Sequence, residues 1–367
     1  MRLALTGGTI VVDPAEEPLR GGTVLIDGDK IAAVGEVAVP PSVESVDCSG
    51  LTITAGFWNS HVHFFERKWS DAATIPAIEL TRQLHDTFSR HGFTTVFDLG
   101  SPWSNTRTIR DRIESGEAQG PRILSTGPGL VPPGALPPDL VLTLMGVMKF
   151  PAPEIANASD AIAAVQKLLA DGADGIKLFA SAPRGQSMSE GALAAAVSEA
   201  HRAGKPVFLH PNSTDDVLMA LRNEVDVIAH TTPQSGVWDF ALEHRAALTP
   251  TLALRHFFMR HDRISAQEQM VDAAVAQLRT WIDRRGLVLF GTDLGAVDAD
   301  PALEYRLMSE AGMDVGQILG SLTTAPAAYF GESARLAPGA RADLAVFHDL
   351  CDVRYTIRNG TIIYRQR

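Results

Sequence analysis

In the segment His61-Val62-His63 two imidazoles sit two positions apart. On an extended strand such side chains point the same way, so both rings can grip one metal ion. By itself such a pair is more often a structural accident than a site. Its company makes the case: Lys177 in Gly175-Ile-Lys-Leu-Phe179, His210 in Val207-Phe-Leu-His210, His230 in Val227-Ile-Ala-His230 and Asp293 in Phe290-Gly-Thr-Asp293 all lie at the ends of short apolar runs. Four imidazoles and a carboxylate suit zinc, manganese, iron or cobalt. Lysine is the odd member, because an ammonium repels cations. With a depressed pKa it can instead add carbon dioxide and become a carbamate, an anionic bridge between two metals. The alternative is a lysine paired with a carboxylate at the rim of a single-metal site, and the residues alone leave both open.

These six residues are far apart in the chain, so the fold must gather them. Eight candidate strands, Phe57–His63, Thr94–Asp98, Arg122–Ser125, Gly175–Phe179, Pro206–His210, Val227–His230, Ala247–Thr251 and Leu287–Phe290, recur about every 33 residues, the length of a strand plus a crossover helix. Between them lie Ala-, Leu- and Glu-rich stretches that predict helices, among them Ile78–His91, Ala161–Leu169, Glu190–Ala203 and Ala266–Arg284. Alternation of this kind implies βα units and a parallel sheet, and eight of them close as an α/β fold, the (β/α)8 TIM barrel. Its C-terminal strand ends converge around one cavity. The Pro- and Gly-rich segment Gly127–Pro138 follows the third strand and can only be a loop, which could roof that cavity, the alternative being a surface excursion with no role.

The chain ends read differently. Thr9–Val12, Gly22–Ile26, the turn Asp27-Gly28 and Lys30–Val34 at one end, and Ala342–Phe347, Val353–Ile357, the turn Asn359-Gly360 and Thr361–Tyr364 at the other, carry strand and hairpin chemistry. Residues 1–55 and 335–367 are therefore expected to build one small β-sandwich domain from both termini, and 56–334 the barrel.

Composition narrows the function classes. The 367 residues are 45% hydrophobic and 20% charged, ordinary globular values that exclude disordered and collagen-like chains. A net charge of −11 argues against a nucleic-acid or anionic-membrane footprint, which leaves a small-molecule substrate as the expected partner. Two cysteines, Cys48 and Cys351, rule out a disulfide framework and a Cys-based zinc site. With no signal-peptide core and no apolar run long enough to span a membrane, the expected location is the cytoplasm. Self-association into a homo-oligomer fits common practice among soluble enzymes.

Three segments together carry a resemblance. Ile53-Thr-Ala-Gly-Phe-Trp-Asn-Ser-His-Val-His63, the later Lys, His, His and Asp at strand ends, and Leu336-Ala-Pro-Gly-Ala-Arg-Ala-Asp-Leu-Ala-Val-Phe347 are similar to the amidohydrolase superfamily, in its imidazolonepropionase-like and Xaa-Pro-dipeptidase-like group. The likeness spans nearly the whole chain. It implies that His61, His63 and Asp293 hold the more buried of two divalent ions, zinc being the expected metal, that His210 and His230 hold the more exposed one, and that N6-carboxylated Lys177 bridges them. Asp293 would shuttle a proton from the attacking hydroxide to the leaving amine. The implied activity is hydrolysis of an amide, peptide-like or carbamate C–N bond. Ester, lactone or cyclic-imide hydrolysis, a single-metal hydrolase or deaminase with Lys177 uncarboxylated, and a non-catalytic binding barrel are the alternatives. The family often reads Pro-Gly-Phe/Leu-Ile-Asp before the His pair, where this chain has Ala55-Gly56-Phe57-Trp58-Asn59, a change of packing and pocket shape. The stretch Ala180–Gln186 lacks the Gly-rich pattern of the dipeptidases, so peptide specificity is not implied.

Arg255 and His256 after the seventh strand, and Arg184 after the fourth, are candidates to bind a substrate carboxylate or polarise its carbonyl. Phe64, Phe65, Trp103 and Phe150 could line an apolar cavity, though aromatics near strand ends more often belong to the core. His85, His91, His201, His244 and His348 are read as structural or solvated.

Overall fold

The protein's structure, a computed structural model, describes residues 2–135, 152–181, 186–233, 238, 246–254, 264–294 and 300–366. Five strands open it: β1 (Arg2–Ile10), β2 (Leu19–Asp27), β3 (Lys30–Gly35), β4 (Glu44–Asp47) and β5 (Thr52–Ala55). Eight short apolar strands follow: β6 (Phe57–Val62), β7 (Phe93–Asp98), β8 (Arg122–Ser125), β9 (Ile176–Phe179), β10 (Val207–His210), β11 (Val227–Ala229), β12 (Ala247–Thr249) and β13 (Leu287–Val288). The chain closes on β14 (Leu344–Phe347), β15 (Val353–Arg358) and β16 (Thr361–Arg365).

The strands from the two termini form one eight-stranded sheet in the order β16-β15-β14-β5-β1-β2-β3, with β4 also on β1. Antiparallel pairing of β5 with β14, Thr52 opposite Phe347 through Ala55 opposite Leu344, joins the two ends of the chain. The Asn359-Gly360 turn read from the sequence is there, with φ of 49° and 72°, the left-handed pair a two-residue hairpin needs. β1 begins earlier than the Thr9 start expected from pattern, because its pairing with β2 shifts register around Gly8 and breaks the alternation that marks a strand.

The middle strands pair in parallel and in chain order, as β6-β7-β8 and as β9-β10-β11-β12-β13. Hydrogen bonds cross both gaps between these sheets. On one side Ser60 N donates to Phe290 O at 2.7 Å, Asp293 N to His61 O at 2.8 Å and His63 N to Leu294 O at 2.7 Å; on the other, Leu130 N donates to Lys177 O at 2.8 Å and Phe179 N to Leu130 O at 2.9 Å.

Helices alternate with these strands: α1 (Ala77–Thr87), α2 (Trp103–Glu114), α3 (Ala158–Ala170), α4 (Glu190–Arg202), α5 (Thr214–Arg222), α6 (Ile264–Asp283), α7 (Pro301–Glu310), α8 (Val315–Leu322) and α9 (Thr324–Tyr329). Their starts are chemically marked. Asn157 caps α3 by accepting from Ser159 N and Asp160 N, and Ser213 and Asp216 form a reciprocal capping box at α5. The helix expected over Ile78–His91 stops at Thr87, and the chain continues through a 3-10 turn to Gly92, whose φ of 84° ends it. Phe97, Phe208, Val227, Ala229, Ala247 and Leu289 form an apolar cluster contributed by the parallel strands themselves, while a larger core lies between strands and helices. Each fully buried Phe or Leu there stabilises the fold by about 1.5–3 kcal/mol. Among the described residues no helix is long and apolar enough to cross a membrane.

Candidate metal centre

The C-terminal strand ends bring the six residues singled out in the sequence together. His61 and His63 close β6, Lys177 lies in β9, His210 ends β10, His230 follows β11 and Asp293 lies beyond β13. The rings form a chain: His63 and His61 are 5.2 Å apart between centroids, His61 and His230 4.5 Å, His230 and His210 4.6 Å. Asp293 Oδ1 stands 2.6 Å from His63 Nε2 and 3.4 Å from His61 Nε2. One ligand atom each from His61, His230 and Asp293 falls within 4.8 Å of the others. Lys177 is fully buried with its Nζ 5.5 Å from the Phe179 ring, which in turn stacks 5.0 Å from His210.

Two close approaches depend on glycine. A Cβ on Gly291 would fall 2.8 Å from His61 Cβ, and one on Gly129 would fall 2.5 Å from the Phe179 ring and 3.3 Å from Lys177 Cγ. The backbone passes where a side chain would push the site residues aside.

The donor set fits a divalent cation. His61 Nε2, Lys177 Nζ and Asp293 Oδ1 are buried without a hydrogen-bond partner. Asp293 Oδ1 lies at ion-pair distance from both imidazole Nε2 atoms, the nearer being that of His63. Unpaired polar atoms cost about 1–3 kcal/mol each when buried, and a shared cation would satisfy His61 Nε2 and Asp293 Oδ1.

Electrostatics agree. Burial pushes the Lys177 amine down to about 7, against the opposing pull of Asp293. Burial, then the charge of Lys177, holds His61 well below its ordinary value, so it is neutral and able to ligate. Burial alone would raise the Asp293 carboxyl, but its interactions with the neighbouring imidazoles, His63 foremost, outweigh it and keep the group ionised.

Several supporting residues carried no sequence signal beyond their place at strand ends. Asp98 closes β7, where it accepts from Ser125 Oγ at 2.6 Å and from Ser101 Oγ, and Ser101 Oγ in turn accepts the Phe64 backbone N–H at 2.7 Å, next to His63. Burial raises Asp98 to about 6. Asn59, one of the departures noted in the sequence, is buried: its amide donates to Thr292 Oγ1 at 2.8 Å and its carbonyl oxygen accepts from Thr292 N at 3.2 Å, pinning β6 to the segment carrying Asp293. Thr249 and Thr251 reach the Nδ1 atoms of His61 and His230 at 3.5 and 2.6 Å.

Of the aromatics considered for the cavity, Phe65 stacks 4.5 Å from His63, whereas Phe64 is core packed on Trp69 and Phe88. Trp103 belongs to the outside of α2, under Arg110 and bonded to Asp171 O. The substrate candidates Arg184, Arg255 and His256, with Phe150 and His244, lie outside the described residues.

A strand-end cluster of His, Lys and Asp on a parallel α/β scaffold defines a class. The amidohydrolase family profile matches residues 52–364, and the chain belongs to that family, whose members are generally metal-dependent. A 61-residue stretch, 17% of this chain, is 39% identical to D-aminoacylase from Alcaligenes xylosoxydans xylosoxydans, but spans 12% of that relative's length. The fold is that of a Xaa-Pro dipeptidase with methionine bound in its active site, TM-score 0.83 at 22% identity with both chains covered in full. It is equally that of a prolidase complexed with N-methylphosphonate-L-proline, TM-score 0.77 at 24% identity with both chains again covered in full.

Proposed function

We propose that this protein hydrolyses an amide-type C–N bond of a small molecule at a binuclear metal centre. The observation that carries the reading is the set of unpaired buried atoms on His61, Lys177 and Asp293, gathered with His63, His210 and His230 at one rim. The eight parallel strands are read as one barrel, closed through the Ser60–Phe290 and Leu130–Lys177 hydrogen bonds, with residues 56–334 as the catalytic unit and 1–55 with 335–367 as the attached β domain.

His61, His63 and Asp293 would hold the more buried ion, His210 and His230 the more exposed one, zinc being the first candidate for both. Two divalent ions held there would supply hydroxide near neutral pH and a Lewis acid for the scissile carbonyl. Lys177 contributes as a carbamate: its neutral Nζ lone pair attacks the carbon of carbon dioxide, an N–C bond forms, one proton leaves, and an anionic bidentate group results. Burial favours this by keeping the amine neutral. The Asp293 carboxylate, ionised in its pocket, accepts the nucleophile's proton at an Oδ atom and passes it to the leaving nitrogen. The names of the relatives point the first assays at N-acyl amino acids and dipeptides.

Elemental analysis of protein purified without chelator in bicarbonate buffer tests the centre, with two ions per chain expected. A Lys177→Ala protein is expected to hydrolyse nothing that the wild type does. Full activity in that variant refutes the bridge, and a wild type that takes up no added metal refutes the function.

A further inference from the structure

Three non-glycine residues at neighbouring strand ends have left-handed backbones: His230 (φ 125°), Thr251 (φ 45°) and Asp293 (φ 65°). Two of them are candidate ligands. The third, Thr251, is β-branched, the side-chain type least suited to positive φ, so its backbone is strained. It persists because its neighbours are held. The buried Glu304 carboxyl, on α7, accepts from Leu252 N at 2.9 Å through Oε1 and from Ala253 N at 2.7 Å through Oε2, fixing the turn that follows Thr251.

The turned backbone aims the threonine hydroxyl. Thr251 Oγ1 donates to the Pro250 carbonyl at 2.9 Å and lies 2.6 Å from His230 Nδ1. With its single proton on Pro250 O, Oγ1 accepts from the imidazole. In that arrangement His230 carries its proton on Nδ1 and its ring lone pair on Nε2.

We infer that Thr251 is a positioning residue that locks His230 as the Nδ1–H tautomer and so presents Nε2 to the centre, with Glu304 bracing the strained turn that makes this possible. The inference rests on the function proposed above only for what Nε2 then binds; the tautomer itself is a property of the metal-free protein. Partners that orient a ligating histidine are worth 10–100-fold in metal affinity or activity.

The experiment uses full-length, metal-free protein labelled with nitrogen-15 on histidine. Long-range proton–nitrogen spectra, with the His230 signals assigned by their loss in His230→Gln, report which nitrogen is protonated. The wild type and Thr251→Ser are expected to show His230 as Nδ1–H, and Thr251→Val, which keeps the branched shape but removes the acceptor, to lose that preference. On adding zinc against a competing chelator, Thr251→Val is expected to hold the metal of the His230 site about 10–100-fold more weakly, with Thr251→Ser within a few fold of wild type. Circular dichroism and thermal unfolding of the metal-free variants check that each is folded, and a valine variant that does not fold is replaced by Thr251→Ala. An Nε2–H tautomer in the wild type, or tautomer and zinc affinity unchanged in the variant lacking the hydroxyl, overturns the inference. Retention of the Nδ1–H form in a wild type that binds no zinc leaves the inference standing and removes the proposed function instead.

Discussion

Replacing Lys177 by Met should make metal-free protein more stable, by an amount that depends on pH in one direction. The amine is buried and its pKa falls from 10.5 to about 7 on folding. A lowered lysine pKa means that the folded state resists the proton: the penalty is fully present below pH 7 and relieved as pH rises toward 10.5, where both states are neutral. At about 1.4 kcal/mol per unit, the penalty is at most about 5 kcal/mol at pH 6, and it shrinks by about 3 kcal/mol between pH 7.5 and 10. Groups remote from Lys177 are shared by the two proteins and cancel in the difference, while His61 and Asp293, which feel its charge, are held low and keep one protonation state between pH 7.5 and 10. The assay is urea unfolding of wild type and Lys177→Met at pH 6, 7.5, 9 and 10, in chelator and under nitrogen so that no carbamate forms. Linear extrapolation yields the stability difference at each pH. A difference that stays flat from pH 7.5 to 10 would refute the reasoning, because it would mean that the folded lysine titrates as the unfolded one does. The same shift bears on the chemistry. At pH 7.5 about three-quarters of such amines are neutral, against about one in a thousand for an ordinary lysine, and only the neutral form attacks carbon dioxide.

Burial raises the Glu304 carboxyl to about 8 against the opposing Ala253 and Leu252 N–H groups, so its contribution to stability is complete below pH 4.5 and lost as pH rises through 8. Glu304→Gln, which cannot ionise, should gain on wild type across that window in thermal unfolding, and a pH-independent difference would show that the carboxyl is ordinary. Gly129→Ala places a Cβ 2.5 Å from the Phe179 ring, so it should cost about 1–3 kcal/mol in urea unfolding and lower metal retention through the displaced Lys177; an unperturbed variant would mean that the loop gives way freely. Zinc at 100 times its dissociation constant should raise wild-type stability by about 2.7 kcal/mol per site, readable as a rise in melting temperature, whereas His61→Ala should lose most of that response.

What the residue order alone determined is substantial, and its limits are physical. The eight apolar runs became eight parallel strands because each is short and apolar and the runs are separated by helix-forming stretches, and the six candidate residues were legible because parallel βα units put strand ends on one rim. The Asn359-Gly360 turn was equally legible, since few residue pairs tolerate two left-handed conformations in succession. Sequence did not reveal the beginning of β1, hidden by its glycines.

Nor did it reveal the residues packed around the proposed ligands. Thr251, Asn59, Asp98 and Glu304 are unremarked letters in a row, and their roles arise from contacts across gaps of 21 to 233 positions. Those contacts depend on backbone angles and on which buried oxygen finds which N–H, and no local pattern encodes either. Which residue types could bind a cation was written in the sequence. Which nitrogen each imidazole would offer, and how far burial would lower a lysine, depended on tertiary structure, because both follow from removing the groups from water beside specific partners.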